Sequence, residues 1–445
     1  MTQSPGPAPA PTPAPAPAPA DERDRLRQLV RDPDYLKGLA FCALIGVLVS
    51  LAAFWFLAAV HQVQHALWSE LPHALGRGTP PWWWPLPLLL VAGVLVGLVI
   101  RYAPGAGGHV PAYGLHAGAP RPADLPGILA AALAALPLGA VLGPEAPLIA
   151  LGGGLAVLCR DLTRAPATAR GTALLGAAGA ASAIAVIFGN PLVAAVLLIE
   201  AAGLGGPRLV ALMLPSLLAG GVGSLVFTGF GRWTGLPIDS LALRLPEPDR
   251  LDAGDMLWSV AFGVLLGAFV HGVFAVARRT AAFTAARPLA RTAGCALAAG
   301  ACAALYGLST GRSPAEAALS GQSTLGELAR HPHDWGVAAL VAVVLFKAAG
   351  YALCLGALRG GPIFPALFLG SAVGVLLSPL PGLGAVPGMA AGMSATAAAA
   401  LRLPVSSVVL VVLLLGGMEL VPVVIVAAVV AVVTTELLPA VEEPA

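Results

Sequence analysis

The sequence predicts an all-α polytopic membrane protein built as two copies of one arrangement, and three observations carry that reading. Of 445 residues, 58% are hydrophobic and 10% charged, with a mean hydropathy of +0.86; a soluble domain carries about 25% charged residues. Apolar segments follow one another along the chain, and several fall short of the ~20 residues that cross a bilayer. A frame of Gly-Pro-x-x-Pro-x-x-x-Leu-Gly occurs twice, at Gly143–Gly152 and at Gly361–Gly370. Short, Gly/Pro-interrupted segments at matching places of two halves mark a binding site near the midplane.

Taken in order, residues 1–20 form a Pro/Ala repeat that cannot bury a core, and a disordered tail is expected there. Residues 21–37 mix Arg23, Arg25, Arg27 and Arg31 with acids and with Leu26, Leu29 and Val30, the pattern of an amphipathic surface helix. The first membrane repeat is expected over 38–230, an extracellular linker over 231–255 and the second repeat over 256–440. Leu39–Val60 is the first span; Trp82–Trp84 precede the second as an interfacial aromatic belt. A polar break, Pro104–Pro111, follows. Leu125–Leu142 reads as one apolar segment, and further segments continue to Val421–Leu438. The N-terminal Arg cluster, Arg101, Arg121, Arg160–Arg170 and Arg278–Arg291 belong in the cytoplasm by the positive-inside rule. The last apolar segment ends close to Ala445, so no appended regulatory domain is expected.

The repeat has three landmarks in one order. Gly108-His109-Val110-Pro111-Ala112 parallels Gly311-Arg312-Ser313-Pro314-Ala315. The two Gly-Pro frames follow, and then Pro191 and Pro404 each open an apolar helix. The residues alone leave open whether the copies are inverted, the arrangement that would bring both helix starts to the midplane.

Composition excludes several classes. The net charge is +2, and no basic run with interleaved aromatics argues for nucleic acid. Five cysteines lie in or beside apolar segments without metal-ligand or disulfide spacing, so no metal and no cofactor is expected. HExxH, Gly-x-Ser-x-Gly and nucleotide-loop signatures are missing, which argues against an enzyme.

The chemistry centres on Glu145. A carboxylate at mid-membrane depth costs about 2.5–3.5 kcal/mol on insertion scales and therefore needs a reason. Pro144 fits a helix start, and the amides after it form a small anion site aided by the helix dipole. An acid placed there plugs its own anion site when charged and vacates it when protonated or displaced: a gate. Pro144 and Pro362 lack N–H groups, so the candidate anion donors are Glu145 and Ala146, Ile363 and Phe364, with Gly107, Gly108 and His109 in the earlier break. Neutral donors suit a small anion that must leave again. Glu200, on the helix opened by Pro191, is a candidate proton-pathway residue, with an interfacial helix-end acid as the alternative.

The order Gly-Gly-His-Val-Pro, Gly-Pro-Glu-Ala-Pro, Phe-Gly-Asn-Pro and Gly-Gly-Pro-Ile-Phe-Pro resembles the CLC chloride channel/transporter family, in its bacterial type, over about residues 35–438. The resemblance implies two inverted repeats of tilted and broken helices, and a homodimer with one pore per subunit. It also implies that Glu145 is the external gating glutamate, that Gly108 stands near the chloride-coordinating serine, and that Ile363 and Phe364 lie in the second anion loop. The chain departs from the family pattern. Pro144 and Ala146 replace Arg and Gly beside the glutamate, and Gly108 lacks the serine hydroxyl. No tyrosine occurs in Val421–Leu438, and Ala201 stands at the internal proton acceptor. The expected function is transport of a small anion, chloride first, across the cell membrane by a multi-pass protein. The alternatives are proton-coupled exchange of chloride or fluoride and, in other classes, an intramembrane enzyme or a non-transporting scaffold.

Overall fold

Proline placement decides where many helices begin. Pro33, Pro85, Pro191, Pro288 and Pro404 each occupy a first helical position, where the missing N–H has no intrahelical partner and φ is already helical. The computed structural model describes residues 27–28, 30–115, 118–164, 168–203, 206–236 and 251–439. The expected tail 1–20, the start of the surface helix and the middle of the linker lie outside the described residues.

The first half comprises α1 (Pro33–His65), α2 (Pro85–Tyr102), α3 (Leu125–Ala135), α4 (Glu145–Leu162), α5 (Ala169–Phe188), α6 (Pro191–Ala202) and α7 (Gly206–Thr234). The second comprises α8 (Ala253–Ala285), α9 (Pro288–Thr310), α10 (Gln322–Arg330), α11 (Val337–Ala357), α12 (Ile363–Leu377), α13 (Ala385–Leu401), α14 (Pro404–Leu415) and α15 (Val421–Leu437). Among the described residues, eight helices are long and apolar enough to cross a membrane, and five further apolar helices are shorter. The short set includes α3, α6, α12, α13 and α14.

The two halves pack alike. In the first, α4 lies on α5, α5 on α7 and α1 on α7; in the second, α12 lies on α13, α13 on α15 and α8 on α15. One device makes both central crossings. Gly152 faces Gly179 between α4 and α5, and Gly370 faces Gly392 between α12 and α13. A Cβ at any of the four would collide with the opposite backbone carbonyl. Small residues let membrane helices approach this closely. The third landmark is also shared: α5 ends at Gly189 with φ 66° and α13 ends at Arg402 with φ 55°, each followed by a Pro-initiated helix. The only β pairing among the described residues is an antiparallel bridge between Gly143 and Gly361. The repeats therefore meet head to head at their Gly-Pro frames, and the copies are inverted.

Three segment expectations are corrected. Leu125–Leu142 is not one segment: α3 stops at Ala135, and the chain turns through Pro137 and Gly139, whose φ is 113°. The Trp68 indole N–H donates to the Pro137 carbonyl at 3.0 Å and fixes that turn. The aromatic belt is divided: Trp82 and Trp83 are exposed, whereas Trp84 is buried and donates to the Leu67 carbonyl at 3.1 Å. Residues 33–37 belong to the spanning helix α1 rather than to a separate surface helix, because Asp32 caps the Asp34 amide and Pro33 starts the helix there.

Candidate functional site

The two helix starts are stapled by the backbone. Gly143 N–H donates to Gly361 O at 2.8 Å, and Gly361 N–H donates to Gly143 O at 2.6 Å. Each proline that follows turns the chain into its helix, so α4 and α12 begin side by side. The Tyr351 hydroxyl on α11 donates to the Pro362 carbonyl at 2.7 Å and holds the second turn in place.

Glu145 is fully buried. Its Oε1 accepts the Phe364 N–H at 2.9 Å, and the amides of Ile363 and of Glu145 itself also face the carboxylate. The residues alone place the acid at its own helix start. The structure places it chiefly on the start of α12, in the other repeat. The carboxylate fits because Gly143 and Gly361 have no side chains: a Cβ on either would overlap it. Oε2, fully buried, has no hydrogen-bond partner among the described residues. One oxygen is thus held by a charge-assisted bond worth about 1.5–3 kcal/mol, while the other carries an uncompensated desolvation cost. A group held on one side only is suited to leave.

The residues expected to bind an anion divide between two places. Ile363 and Phe364 lie at the Glu145 seat, with the Phe364 ring 5.8 Å from the Phe188 ring. Gly107, Gly108, His109 and Ala146 instead line a cavity of about 300 Å³ beside the first turn of α4. The cavity wall 104–108 is a tight coil in which Gly108 has φ 93° and ψ −166°, a conformation open to glycine alone. The Gly108 N–H donates to the Gly105 carbonyl at 2.8 Å. Gly108 therefore lines the cavity while its amide serves the turn, which corrects its expected part as a backbone donor.

Glu200 lies apart from both places, on α6, and does work that its sequence did not announce. Its Oε1 accepts from the Val405 amide at 3.0 Å, and its Oε2 from the Ser406 amide at 2.7 Å and the Ser406 hydroxyl at 2.6 Å. The carboxylate caps α14 of the other repeat. Asn190 caps α6 with its own side chain, but Leu403 has none to offer α14. A cap is worth about 1 kcal/mol. Glu200→Ala is accordingly expected to destabilise the protein by about 1–2 kcal/mol, read as a lowered melting midpoint in detergent, with Glu200→Gln recovering most of the loss.

Three residues went unnoticed in the sequence. Tyr351 and Lys347 sit one turn apart on α11 and are both fully buried. A lone cation in an otherwise apolar helix is a signal that could have been taken. Arg359, 7% exposed, lines the cavity just before the second frame; no periodicity marks it.

The family model described as "Voltage gated chloride channel" matches residues 92–436. A relative from Escherichia coli O6:H1, named ion-transport protein YfeO, is 29% identical over 343 residues, covering 75% of this chain and 77% of its own. The YfeO of Salmonella newport is 34% identical over 155 residues, 35% of this chain and 37% of that relative's length. The chain thus spans about a third of the Salmonella relative it matches. Among solved structures, a slow cyanobacterial Cl−/H+ antiporter superposes with a TM-score of 0.74 at 21% identity, over 90% of this chain and 94% of that one. A CLC-type fluoride/proton antiporter gives 0.70 at 19% identity, over 90% and 96%. At these identities the likeness is one of fold.

Proposed function

We propose, because the chain belongs to the voltage-gated chloride channel family, that it carries a small anion, chloride first, across the cell membrane and that Glu145 is its gate. One observation carries the reading: a carboxylate already sits on the amides at the start of α12. A site that holds a carboxylate with backbone donors has the size and polarity to hold a halide once that side chain leaves. Ile363 and Phe364 supply the donors at the seat, and Ala146, Gly107, Gly108 and His109 line the approach to it. By the positive-inside rule that approach opens toward the cytoplasm, since Arg121 stands at its rim. The protein acts as a homodimer with one path per subunit and uses neither metal nor cofactor. Its role is transport rather than enzymatic chemistry or scaffolding.

Proton-coupled exchange is the second reading, favoured by the bare Oε2 of Glu145. A proton on that oxygen lowers the cost of keeping the side chain buried and frees the amides for an anion. Glu200 is the other acid in this reading; it reaches the proton path only by letting go of the α14 cap.

Glu145→Gln tests the gate. A neutral hydrogen bond to Phe364 is weaker than a charge-assisted one by about 1–1.5 kcal/mol, which is about tenfold in occupancy. Chloride efflux from proteoliposomes should rise about tenfold at neutral pH, and any proton movement coupled to it should stop. Equal efflux from wild type and variant, both folded, would sink the gating role.

A further inference from the structure

Arginines gather where α8 turns into α9. Arg279 lies on the last turns of α8, Arg287 in the turn itself, Arg291 on the first turn of α9 and Arg101 on the last turn of α2. Helix packing brings Arg101 to this corner. Gly97 of α2 lies so close to α9 that a Cβ on it would come within 2.9 Å of the Leu289 Cα. Arg101 stands one turn beyond Gly97 on the same side of α2. Arg291 is held in place: its Nη1 donates to the Phe283 carbonyl at 2.8 Å, and its Cζ stands 4.4 Å from the centre of the Phe283 ring. Phe283 and Arg279, one turn apart, share a face of α8.

No carboxylate answers this charge. Among the described residues these arginines enter no ion pair. Acids placed on the cytoplasmic side are engaged elsewhere: Asp124 with Arg121, Asp161 with Arg160 and Glu436 with Arg402. Helix α8 has 33 residues, about 50 Å at ~1.5 Å per residue, against about 30 Å of hydrocarbon. Its last turns therefore stand among headgroups, on the side that the positive-inside rule places in the cytoplasm. Toward the bilayer from this corner the outer surface is apolar and not filled by protein. Phe283 and Leu297 are exposed, and a Cβ on Gly294 would meet nothing within 4 Å. Positive charge at headgroup depth with open apolar surface beneath it matches a phospholipid rather than a free anion.

We propose that the α8–α9 corner seats one anionic phospholipid of the cytoplasmic leaflet. Arg287 and Arg291 grip its phosphate, Arg101 and Arg279 support it from α2 and α8, and its acyl chains lie along Phe283, Gly294 and Leu297. Guanidinium forks match phosphate oxygens two at a time, and basic pockets between membrane helices take anionic headgroups. The Phe283 ring occupies the face of the Arg291 guanidinium, which leaves N–H groups along its edge for the phosphate. The seat requires only that the chain span a membrane, and it is independent of the Glu145 gate.

The test is native mass spectrometry of the purified full-length chain in detergent, titrated with phosphatidylglycerol and with phosphatidylcholine. Wild type should hold one phosphatidylglycerol about tenfold tighter than phosphatidylcholine. A basic residue near the surface strengthens binding to an anionic headgroup about fivefold. Arg287→Gln should therefore weaken phosphatidylglycerol about fivefold, and Arg287→Gln with Arg291→Gln about twentyfold, with phosphatidylcholine unchanged in both. Arg164→Gln removes an equal charge from another exposed cytoplasmic position and should leave the affinity as it was. Unaltered phosphatidylglycerol binding in Arg287→Gln would overturn the seat. Equal losses in Arg164→Gln and Arg287→Gln would overturn it in favour of a diffuse field, and displacement of the lipid by inorganic phosphate in favour of a free anion. Arg287 is exposed and its side chain makes no hydrogen bond among the described residues, so the single variant decides even where the double variant fails to fold.

Discussion

In Gly361→Ala the Glu145 carboxylate loses its seat, and anion flux becomes indifferent to the identity of residue 145. The backbone of Gly361 is not in the left-handed region, so alanine is conformationally permitted. The obstacle is spatial. A Cβ there overlaps Glu145 Oε2 and presses on its Cδ at 2.6 Å and its Cβ at 3.0 Å. The end of a flexible side chain yields more readily than the stapled Gly143–Gly361 bridge, so the carboxylate is displaced while the two helix starts stay paired. Glu145→Gln alone should alter flux about tenfold; in the Gly361→Ala background the same change should alter it less than twofold. That difference is a coupling of about 1 kcal/mol or more, as expected for groups in contact. Efflux from the four proteins of the cycle gives the answer. Additive effects would mean that Glu145 does not sit against Gly361 in the state that conducts. Gly143→Ala reaches the same carboxylate from the other repeat and should behave alike.

The repeat was legible because it is written in backbone-determining residues. Proline and glycine fix helix starts and close approaches whatever surrounds them, so two Gly-Pro frames in one chain announce two helix starts. Composition gave the membrane, and the family resemblance gave the inversion that the residues alone left open. What was not legible is tertiary by nature. That Glu145 occupies the start of α12 rather than of α4 depends on the Gly143–Gly361 bridge, whose partners are separated by more than two hundred positions. Glu200 reads as a proton-pathway residue or an interfacial helix-end acid because its partners, Val405 and Ser406, lie in the other half. Gly108 read as a donor because glycine signals an accessible amide, whereas the turn it closes takes that amide for Gly105. Leu125–Leu142 read as one segment because hydropathy does not register the break that Pro137 and Gly139 impose.

Symmetry also fails in its chemistry, and this leads to the largest stability effect expected in the chain. At the place where the first half has its glycine-rich break, the second half has a polar cluster. Arg312 pairs with Glu316 through Nε at 2.8 Å and Nη2 at 3.0 Å, lies 4.0 Å from the centre of the Trp335 ring, and shares Glu316 with the Tyr306 hydroxyl. Lys347 closes this loop from α11. Its Nζ donates to the carbonyls of Ala318 at 2.8 Å, Glu316 at 3.0 Å and Leu319 at 3.2 Å, and stands 4.9 Å from the centre of the Phe368 ring. Three donors face four carbonyls, that of Ala317 at 3.5 Å being the fourth, so the buried ammonium is compensated although no carboxylate among the described residues pairs with it. The loop needs this clamp, because Leu319 is held at φ 58° while its N–H reaches the Gly139 carbonyl at 3.1 Å. Lys347→Met keeps the bulk and leaves those carbonyls unpaired at about 1–3 kcal/mol for each that water does not reach. The expected loss is on the order of 3–5 kcal/mol, the size seen when one partner of a buried charged network is removed. It should appear as a large fall in the melting midpoint in detergent. Lys347 bonds the loop carbonyls rather than the Glu145 seat, so anion selectivity should be unaltered in whatever protein remains folded. A variant as stable as wild type would mean that the carbonyls of 316–319 find other donors, and that Lys347 is held in the membrane for a purpose other than closing the loop.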